Sequence, residues 1–243
     1  QNPDILENTW KIIFERNISI IPENAFRNFK NLESIQGDGV VTVENNAFRS
    51  LQHLETVTLL NVTTIGEGAF YECYLLRKID LPRATTIGKE AFRSCENLKG
   101  VDLLSAETIG RGAFLRCSQL NKINLPSAKT IGEVAFRDCT VLKEIDIHSA
   151  KSIERETFFN CHELKGVDLS SAKSIEIFAF YRCYRLEKII LPSATSIGFC
   201  AFGDCTDLSR IELQSVETIG VSAFENCANL VEVIAPKTTK IKK

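Results

Sequence analysis

The sequence predicts an α/β solenoid, a right-handed coil in which each turn contains a strand, a bend, a second short strand and a short helix. Three observations predict this fold. An Ala-Phe dipeptide recurs every 22 residues, and apolar residues follow each Phe at fixed offsets. Each repeat also offers only about eight apolar positions, which are too few to close a core alone, so neighbouring repeats must stack on one another.

The repeat runs through most of the chain without an insertion, and only Thr157 replaces the Ala of the dipeptide. Three residues after the Phe stands Cys in all but the first two copies, six after stands Leu, and nine after stands Ile or Val. The Phe positions are 26, 48, 70, 92, 114, 136, 158, 180, 202 and 224. Constant spacing predicts that equivalent side chains lie one above another in continuous rows.

The order of elements follows from the spacing inside one repeat. Leu76, Ile79 and Leu81 predict an inward-facing strand, because Ile79 and Leu81 have the period of two that points side chains to one face. Pro82, which has no N–H to donate, is suited to ending that strand. A second extended stretch over 84–87 is rich in β-branched residues. The Ala-Phe-x-x-Cys segment then has helix-like offsets, which predict one or two turns of helix packed inward.

The complete pattern L-x-x-I-x-L-P-x-A-x-x-I-G-x-x-A-F-x-x-C stands at residues 120–139. It resembles the BspA-like class of leucine-rich repeats, and the resemblance extends over roughly residues 20–241. It implies a leucine-rich-repeat coil with a parallel concave sheet, together with a role in surface adhesion or protein recognition. Because solenoids of this kind serve many roles, the resemblance predicts the fold more firmly than the function.

The repeat register divides the chain into three parts. We expect an N-terminal capping coil at 1–21, ten repeats at 22–236, and a basic tail or the end of the last coil at 237–243. Counting back by one repeat length places Ile13 at the strand Ile position and Ile21 at the second-strand Ile position. The first part therefore reads as a degenerate coil, and polar residues on its outer side would suit a cap.

Composition excludes several classes of function. The 29 basic and 31 acidic residues are well mixed, so we expect no nucleic-acid partner. Apolar runs are only a few residues long, so we expect no membrane insertion. His53, His148 and His162 occupy three different repeat positions, and the sequence has no phosphate loop or nucleophile elbow. We therefore expect no enzyme, no catalytic residue and no cofactor.

Eight of the nine cysteines form one row with one Cys per coil. We expect buried reduced thiols with a packing role, because free Cys behaves as a small hydrophobe. A metal site is not expected, since the chain has no C-x-x-C pair and no clustered histidines. Cys200 stands outside the row, and we expect an incidental surface residue there or, alternatively, a reactive thiol.

The outward-facing strand positions offer a candidate binding stripe. Carboxylates one coil apart repel each other, so a row that tolerates this repulsion favours a role in binding a cationic or hydrogen-bonding partner. Gly100 and Gly166 would leave room for the partner's side chains. Alternatively, Lys78, Lys122 and Lys188 neutralise the row and leave a solvated face that prevents aggregation. The predicted ligand-binding residues are Lys78, Asp80, Asp102, Lys122, Asn124, Asp146 and Asp168.

These observations predict a non-enzymatic recognition or adhesion solenoid that binds a protein partner through its concave sheet face. The predicted location is the cell surface or the secreted fraction, with a host or extracellular-matrix protein among the candidate partners. An intracellular, cytoplasmic interaction scaffold or effector is an alternative, because the cysteine row is predicted to be reduced. A glycan-binding module is a third candidate. The oligomeric state stays open.

Overall fold

The computed structural model describes residues 8–237 and 239–242, which form a stack of coils joined by parallel strands. Residues 1–7 of the predicted capping coil, and residues 238 and 243 of the predicted C-terminal segment, lie outside the described residues. The three-part division of the chain stays a prediction. The predicted solenoid itself is confirmed, because equivalent residues of successive coils pair in parallel register along the chain.

The longer strand of each coil contributes to the first ladder, which forms the predicted strand face. Its central residue is buried and its outer residues are exposed or half-buried in most coils, which matches the expected alternation. The strands of the first ladder are β1 (Lys11–Phe14), β3 (Ser34–Gly37), β5 (Thr56–Thr58), β7 (Lys78–Asp80), β9 (Gly100–Asp102), β11 (Lys122–Asn124), β13 (Glu144–Asp146), β14 (Gly166–Asp168), β16 (Lys188–Ile190), β18 (Arg210–Glu212) and β20 (Glu232–Ile234).

The second ladder is built from two-residue strands, and in most coils Thr or Ser is followed by a buried Ile or Val. Its strands are β2 (Ile20–Ile21), β4 (Thr42–Val43), β6 (Thr64–Ile65), β8 (Thr86–Ile87), β10 (Thr108–Ile109), β12 (Thr130–Ile131), β15 (Ser174–Ile175), β17 (Ser196–Ile197), β19 (Thr218–Ile219) and β21 (Lys240–Ile241). Six coils have glycine in the turn after it, where the coils approach closely: a Cβ on Gly110 would lie 2.6 Å from the carbonyl carbon of Gly88 in the preceding coil.

Both ladders are interrupted. The first is broken between β7 and β9, between β13 and β14, and between β16 and β18. The first two breaks lie where a strand begins with glycine, Gly100 or Gly166, a residue with weak strand propensity. The second ladder is broken after β12 and resumes with the single bridge from Ile153 to Ile175. Glu154 stands in that coil where most neighbouring coils have the turn glycine.

The predicted short helices are wrong, because the Ala-Phe-x-x-Cys segments form successive turns. The residue two before each Phe has a positive φ in every repeat, even where it is Val134 (52°) or Phe178 (56°). The residue two after the Phe also has a positive φ in all but the first repeat. A helix requires consecutive right-handed residues, so these left-handed positions prevent one.

Hydrogen bonds to the next coil offset this unusual backbone. In one coil the N–H groups of Gly68, Phe70 and Glu72 donate to carbonyls of the next coil at 2.8–2.9 Å, whereas the N–H groups between them close local turns. Alternate residues thus face the neighbouring coil, as they would in a strand. The segment therefore acts as a third line of contact between coils, which satisfies backbone groups that would otherwise be buried without partners.

Stacked side-chain rows fill the interior. The Phe rings lie 5.1–5.5 Å apart between centroids and nearly parallel, and Phe92 and Phe114 are 5.2 Å apart at 12°. The predicted row of superposed rings is confirmed. The eight row cysteines are free, and each Sγ donates to the carbonyl of the Phe in the preceding coil at 3.0–3.2 Å. Burial raises the pKa of Cys73 to about 12.

Two positions differ from the predictions made from the repeat spacing. Ile12, not Ile13, pairs with Ile35 in the first ladder, and Ile13 is 64% exposed. The first coil therefore has one residue more than the repeat between its two strands, whereas Ile21 pairs with Val43 as predicted. Cys200 was expected at the surface, but its side chain is buried beside the Glu225 carboxylate. Burial, then that carboxylate, raises the Cys200 pKa to about 11, which disfavours the thiolate.

Candidate binding face

The predicted ligand-binding residues lie on the outer face of the first ladder, in the strands β7 to β14. Asp102, Asn124 and Asp146 are direct neighbours in parallel register, and so are Gly100, Lys122 and Glu144. Asp80 lies across the first break from Asp102, and Asp168 lies across the second break from Asp146. One stripe of polar side chains therefore extends over five coils, while its hydrogen-bonded backbone is continuous only over the central three.

Each carboxylate of the stripe has a polar neighbour within reach. Asn124 Nδ2 donates to Asp102 Oδ1 at 2.8 Å, and Lys78 Nζ lies 3.2 Å from Asp80 Oδ2. The Asp146 carboxylate contacts His148 Nδ1 at 2.7 Å. The single amide at the centre of the row reduces its repulsion, because Asn124 separates Asp102 from Asp146 and donates to Asp102.

One end of the stripe and its centre are paired differently. Asp168 accepts hydrogen bonds from the backbone N–H of Ser170, at 2.9 Å, and from its hydroxyl. Lys122 Nζ lies 3.5 Å from Glu144 in the next coil, so this lysine faces a carboxylate outside the predicted set. These contacts are exposed, and exposed pairs contribute little to folding. The side chains thus remain available to a partner at small energetic cost.

Two adjoining grooves lie along the stripe, at the two glycines that were predicted to leave room for a partner's side chains. The larger encloses about 670 Å³ between Lys78, Asp80, Asp102, Lys122 and Asn124, with Ile79 and Val101 among its apolar lining. The second, of about 460 Å³, shares Lys122 and Asn124 with it and reaches Asp146 and Gly166. Both grooves are open to solvent. Their position at the two glycine strands follows from the missing side chains of Gly100 and Gly166.

These two glycines are not required by close backbone approach to the degree that the turn glycines are. A Cβ on Gly100 would lie 3.3 Å from the Lys122 carbonyl oxygen, and one on Gly166 would lie 3.2 Å from that of Lys188. Other coils carry Thr56, Lys78 or Lys122 at the same position. The fold therefore accepts side chains at this strand position, and the grooves are a local feature of the two glycine coils.

A third groove, of about 680 Å³, lies further along the same ladder, at its third break. Its lining includes Lys188, Ile190, Arg210 and Glu212, and no glycine opens it. Arg210 lies 2.8 Å from both Glu212 and Glu232. Within the described part of the chain, no group of three or more His, Cys, Asp or Glu residues is placed to hold a metal ion. No helix among the described residues is long and apolar enough to cross a bilayer.

The repeats of the chain match a known family. The model of the BspA-type leucine-rich repeat region matches residues 6–106, 85–193 and 129–243. The chain belongs to this family. BspA-type leucine-rich repeats are typical of protein-interaction and surface proteins, and the predicted resemblance is confirmed by a match that spans nearly the whole chain. No curated protein matches the sequence significantly.

Two solved structures are similar to this BspA-type chain. A leucine-rich repeat protein of T. pallidum is 23% identical, with a TM-score of 0.53 over 82% of this chain and 78% of its own. A leucine-rich cell surface protein of Faecalibacterium prausnitzii is 22% identical, with a TM-score of 0.48 over 95% of this chain and 89% of its own. The T. pallidum protein supports the leucine-rich-repeat architecture seen here.

Proposed function

We propose that this BspA-type solenoid is a non-enzymatic recognition module that binds a protein partner through the first-ladder face, at the cell surface or in the secreted fraction. The observation that supports the proposal most is that the polar stripe borders two adjoining open grooves. Shallow grooves with both charge signs and an apolar floor suit the side chains of a protein surface, whereas small molecules are usually enclosed.

The charges of the face indicate the chemistry of the partner. The stripe offers the carboxylates of Asp80, Asp102 and Asp146 in one line, flanked by the ammonium groups of Lys78 and Lys122. A partner with basic or hydrogen-bonding side chains at strand spacing would match the carboxylate line, and its acidic side chains would match the flanking lysines. Complementary charges of this kind determine specificity and association rate more than total affinity.

The surface location is supported by the family, since BspA-type repeats are typical of surface proteins. The intracellular scaffold remains the second candidate, and the free thiols favour it. Antibody labelling of intact and permeabilised source cells separates the two. Labelling of intact cells supports the surface module, whereas labelling only after permeabilisation supports the scaffold.

The binding proposal is tested with Asp102→Lys combined with Asp146→Lys. The control combines Glu107→Lys and Glu133→Lys, which changes the net charge equally at exposed residues outside the stripe. The probes are purified extracellular-matrix proteins in a surface-binding assay. We expect the stripe variant to lose at least about tenfold in affinity for any matrix protein that the unmodified chain binds. Equal binding by all three proteins, or no binding by the unmodified chain, would contradict the proposal.

A further inference from the structure

A second surface changes from polar to apolar residues along the solenoid. The residue three before each repeat Phe forms a column, here called the lateral column, on a side separate from the stripe. Its members are Glu23, Asn45, Glu67, Lys89, Arg111, Glu133, Arg155, Ile177, Phe199 and Val221. The first seven are polar, and they form ion pairs such as Lys89 with Glu67 at 2.7 Å. The last three are apolar and remain 42%, 40% and 37% exposed.

A groove accompanies the apolar end of the lateral column. The residues one position earlier are Glu176, Gly198, Gly220 and Lys242, and all four line a groove of about 330 Å³. The two glycines leave its middle open, while the acidic and basic side chains stand at opposite ends. Because neighbouring coils lie ~4.8 Å apart, the two charged residues are separated by ~14 Å along the solenoid. The backbone of Lys242 is fixed by its N–H, which donates to Ile219 at 2.9 Å.

We propose that this surface binds a second copy of the chain, forming an antiparallel dimer with two-fold symmetry. In that arrangement the symmetry axis passes midway between the coils of Phe199 and Val221, so Phe199 lies against the partner's Val221 and Val221 lies against the partner's Phe199. Glu176 then faces the partner's Lys242, and Lys242 faces the partner's Glu176. A two-fold contact uses the same patch on both copies, so both charge pairs form together.

Charge complementarity selects this occupant and this orientation. The spacing between the acid and the base is identical in the two copies, so a second copy matches it without any further requirement. A parallel arrangement would place carboxylate against carboxylate and ammonium against ammonium, which is unfavourable. The stripe and its two grooves are formed by other residues, so the dimer leaves the proposed binding face free.

The contact is small. Stable interfaces bury ~800 Å² per partner, and three half-exposed side chains supply only part of that area. We therefore expect a weak dimer, with a dissociation constant on the order of 100 μM. Such an equilibrium is measurable by sedimentation equilibrium of the full chain between ~10 μM and ~1 mM.

The test uses charge exchange. Phe199→Glu should raise the dissociation constant at least about tenfold, because it buries an unpaired carboxylate against the apolar side chain of the partner's Val221. Glu176→Lys and Lys242→Glu should each weaken the dimer a few-fold, by about the measured coupling of an exposed ion pair. The double variant carrying both changes should restore the original constant, because each charge then faces its opposite again.

A matched control is Leu104→Glu, which places a carboxylate at a 55% exposed leucine outside the lateral column and should leave the dimer unchanged. Circular dichroism of every variant confirms that the coils are retained. A chain that stays monomeric at ~1 mM would overturn the proposal, since it expects half-association well below that concentration. A double variant as weak as the single variants would also overturn it, because the antiparallel pairing requires restoration.

Discussion

The buried phenylalanine row and the polar stripe follow the same 22-residue period, but only the buried row keeps one residue type in every coil. Each buried ring contacts the equivalent ring above and below at 5.1–5.5 Å, so a change in one coil is felt in two others. Along the stripe, four aspartates are interrupted by the single asparagine Asn124, and the next coil has Ile190 at this position. Stacking therefore requires the same residue type in successive coils inside the solenoid. On the exposed strand face the residue type can vary from coil to coil, which allows a binding surface to form there.

The largest effect is expected from breaking the buried row. Phe114→Ala removes a fully buried ring that packs against Phe92 and Phe136, so the free energy of unfolding should fall by about 3–5 kcal/mol. Urea titration followed by circular dichroism measures this loss. Leu104→Ala, at an exposed position, should cost less than about 0.5 kcal/mol. Equal losses in the two variants would contradict the stacked row.

The turn glycines should be the next most sensitive positions. Gly110→Ala places a Cβ 2.6 Å from the backbone of the preceding coil, and the shift this requires should cost about 1–3 kcal/mol. The same urea titration applies. Gly100→Ala is the matched control, since its Cβ would lie 3.3 Å from the nearest atom, and it should cost clearly less. A greater loss of unfolding free energy in Gly100→Ala than in Gly110→Ala would contradict the close approach of the coils at the turn glycines.

The cysteine row predicts a stability that falls in alkali. Burial raises the Cys73 pKa from 9.0 to about 12, so the unfolded chain releases this proton at lower pH than the folded chain. The stabilisation is therefore complete below pH 9 and is lost as the pH rises towards 12. In Cys73→Ala, the free energy of unfolding should decrease less steeply with rising pH, by up to about 1.4 kcal/mol per pH unit. Urea midpoints between pH 8 and pH 11 measure this slope.

The control for that slope is Ser105→Ala, which removes no titrating group and should leave it unchanged. Loss of the thiol hydrogen bond to Phe48 adds a cost that does not depend on pH, so only the slope is diagnostic. Identical slopes for Cys73→Ala and the unmodified chain would show that this thiol ionises normally in the folded state.

The smallest effect is expected at the groove. Gly100→Thr places in this coil the residue that Thr56 provides two coils earlier, so the unfolding free energy should change by less than about 1 kcal/mol. The added side chain fills the larger groove, and affinity for a matrix protein bound by the unmodified chain should fall about threefold or more. Unchanged affinity would show that the groove is not part of the contact.

How much the sequence predicts depends on whether a feature repeats. The rows of Phe, Cys and Leu were predictable, because a constant spacing puts equal residues above one another. The turns that replace the expected helices were not predictable, since the offsets of Ala, Phe and Cys fit a helix as well as a series of turns. Left-handed residues such as Val134 and Phe178 carry no sequence signal, because hydrogen bonds to the next coil hold them in place.

The site was predictable in part. Strand alternation placed Asp80, Asp102 and Asn124 on one outer face, where the structure has them. The room predicted at Gly100 and Gly166 lies where the first two grooves open, whereas the third groove lies at a ladder break that no single repeat reveals. The apolar end of the lateral column did have a signal, because reading every repeat at the position three before its Phe shows the change from Arg155 to Ile177.

The central claim is that the coils stack at a constant rise, and distances between spin labels along the lateral column test it directly. Labels at engineered cysteines replacing Glu23 and Glu133 span five coils, and labels replacing Glu23 and Val221 span nine. The half-buried Cys227 is replaced by Ser, and the other native thiols are buried and react slowly. At ~4.8 Å per coil the account predicts ~24 Å for the first pair and ~43 Å for the second. Distances that do not increase with the number of coils would contradict the stacked solenoid.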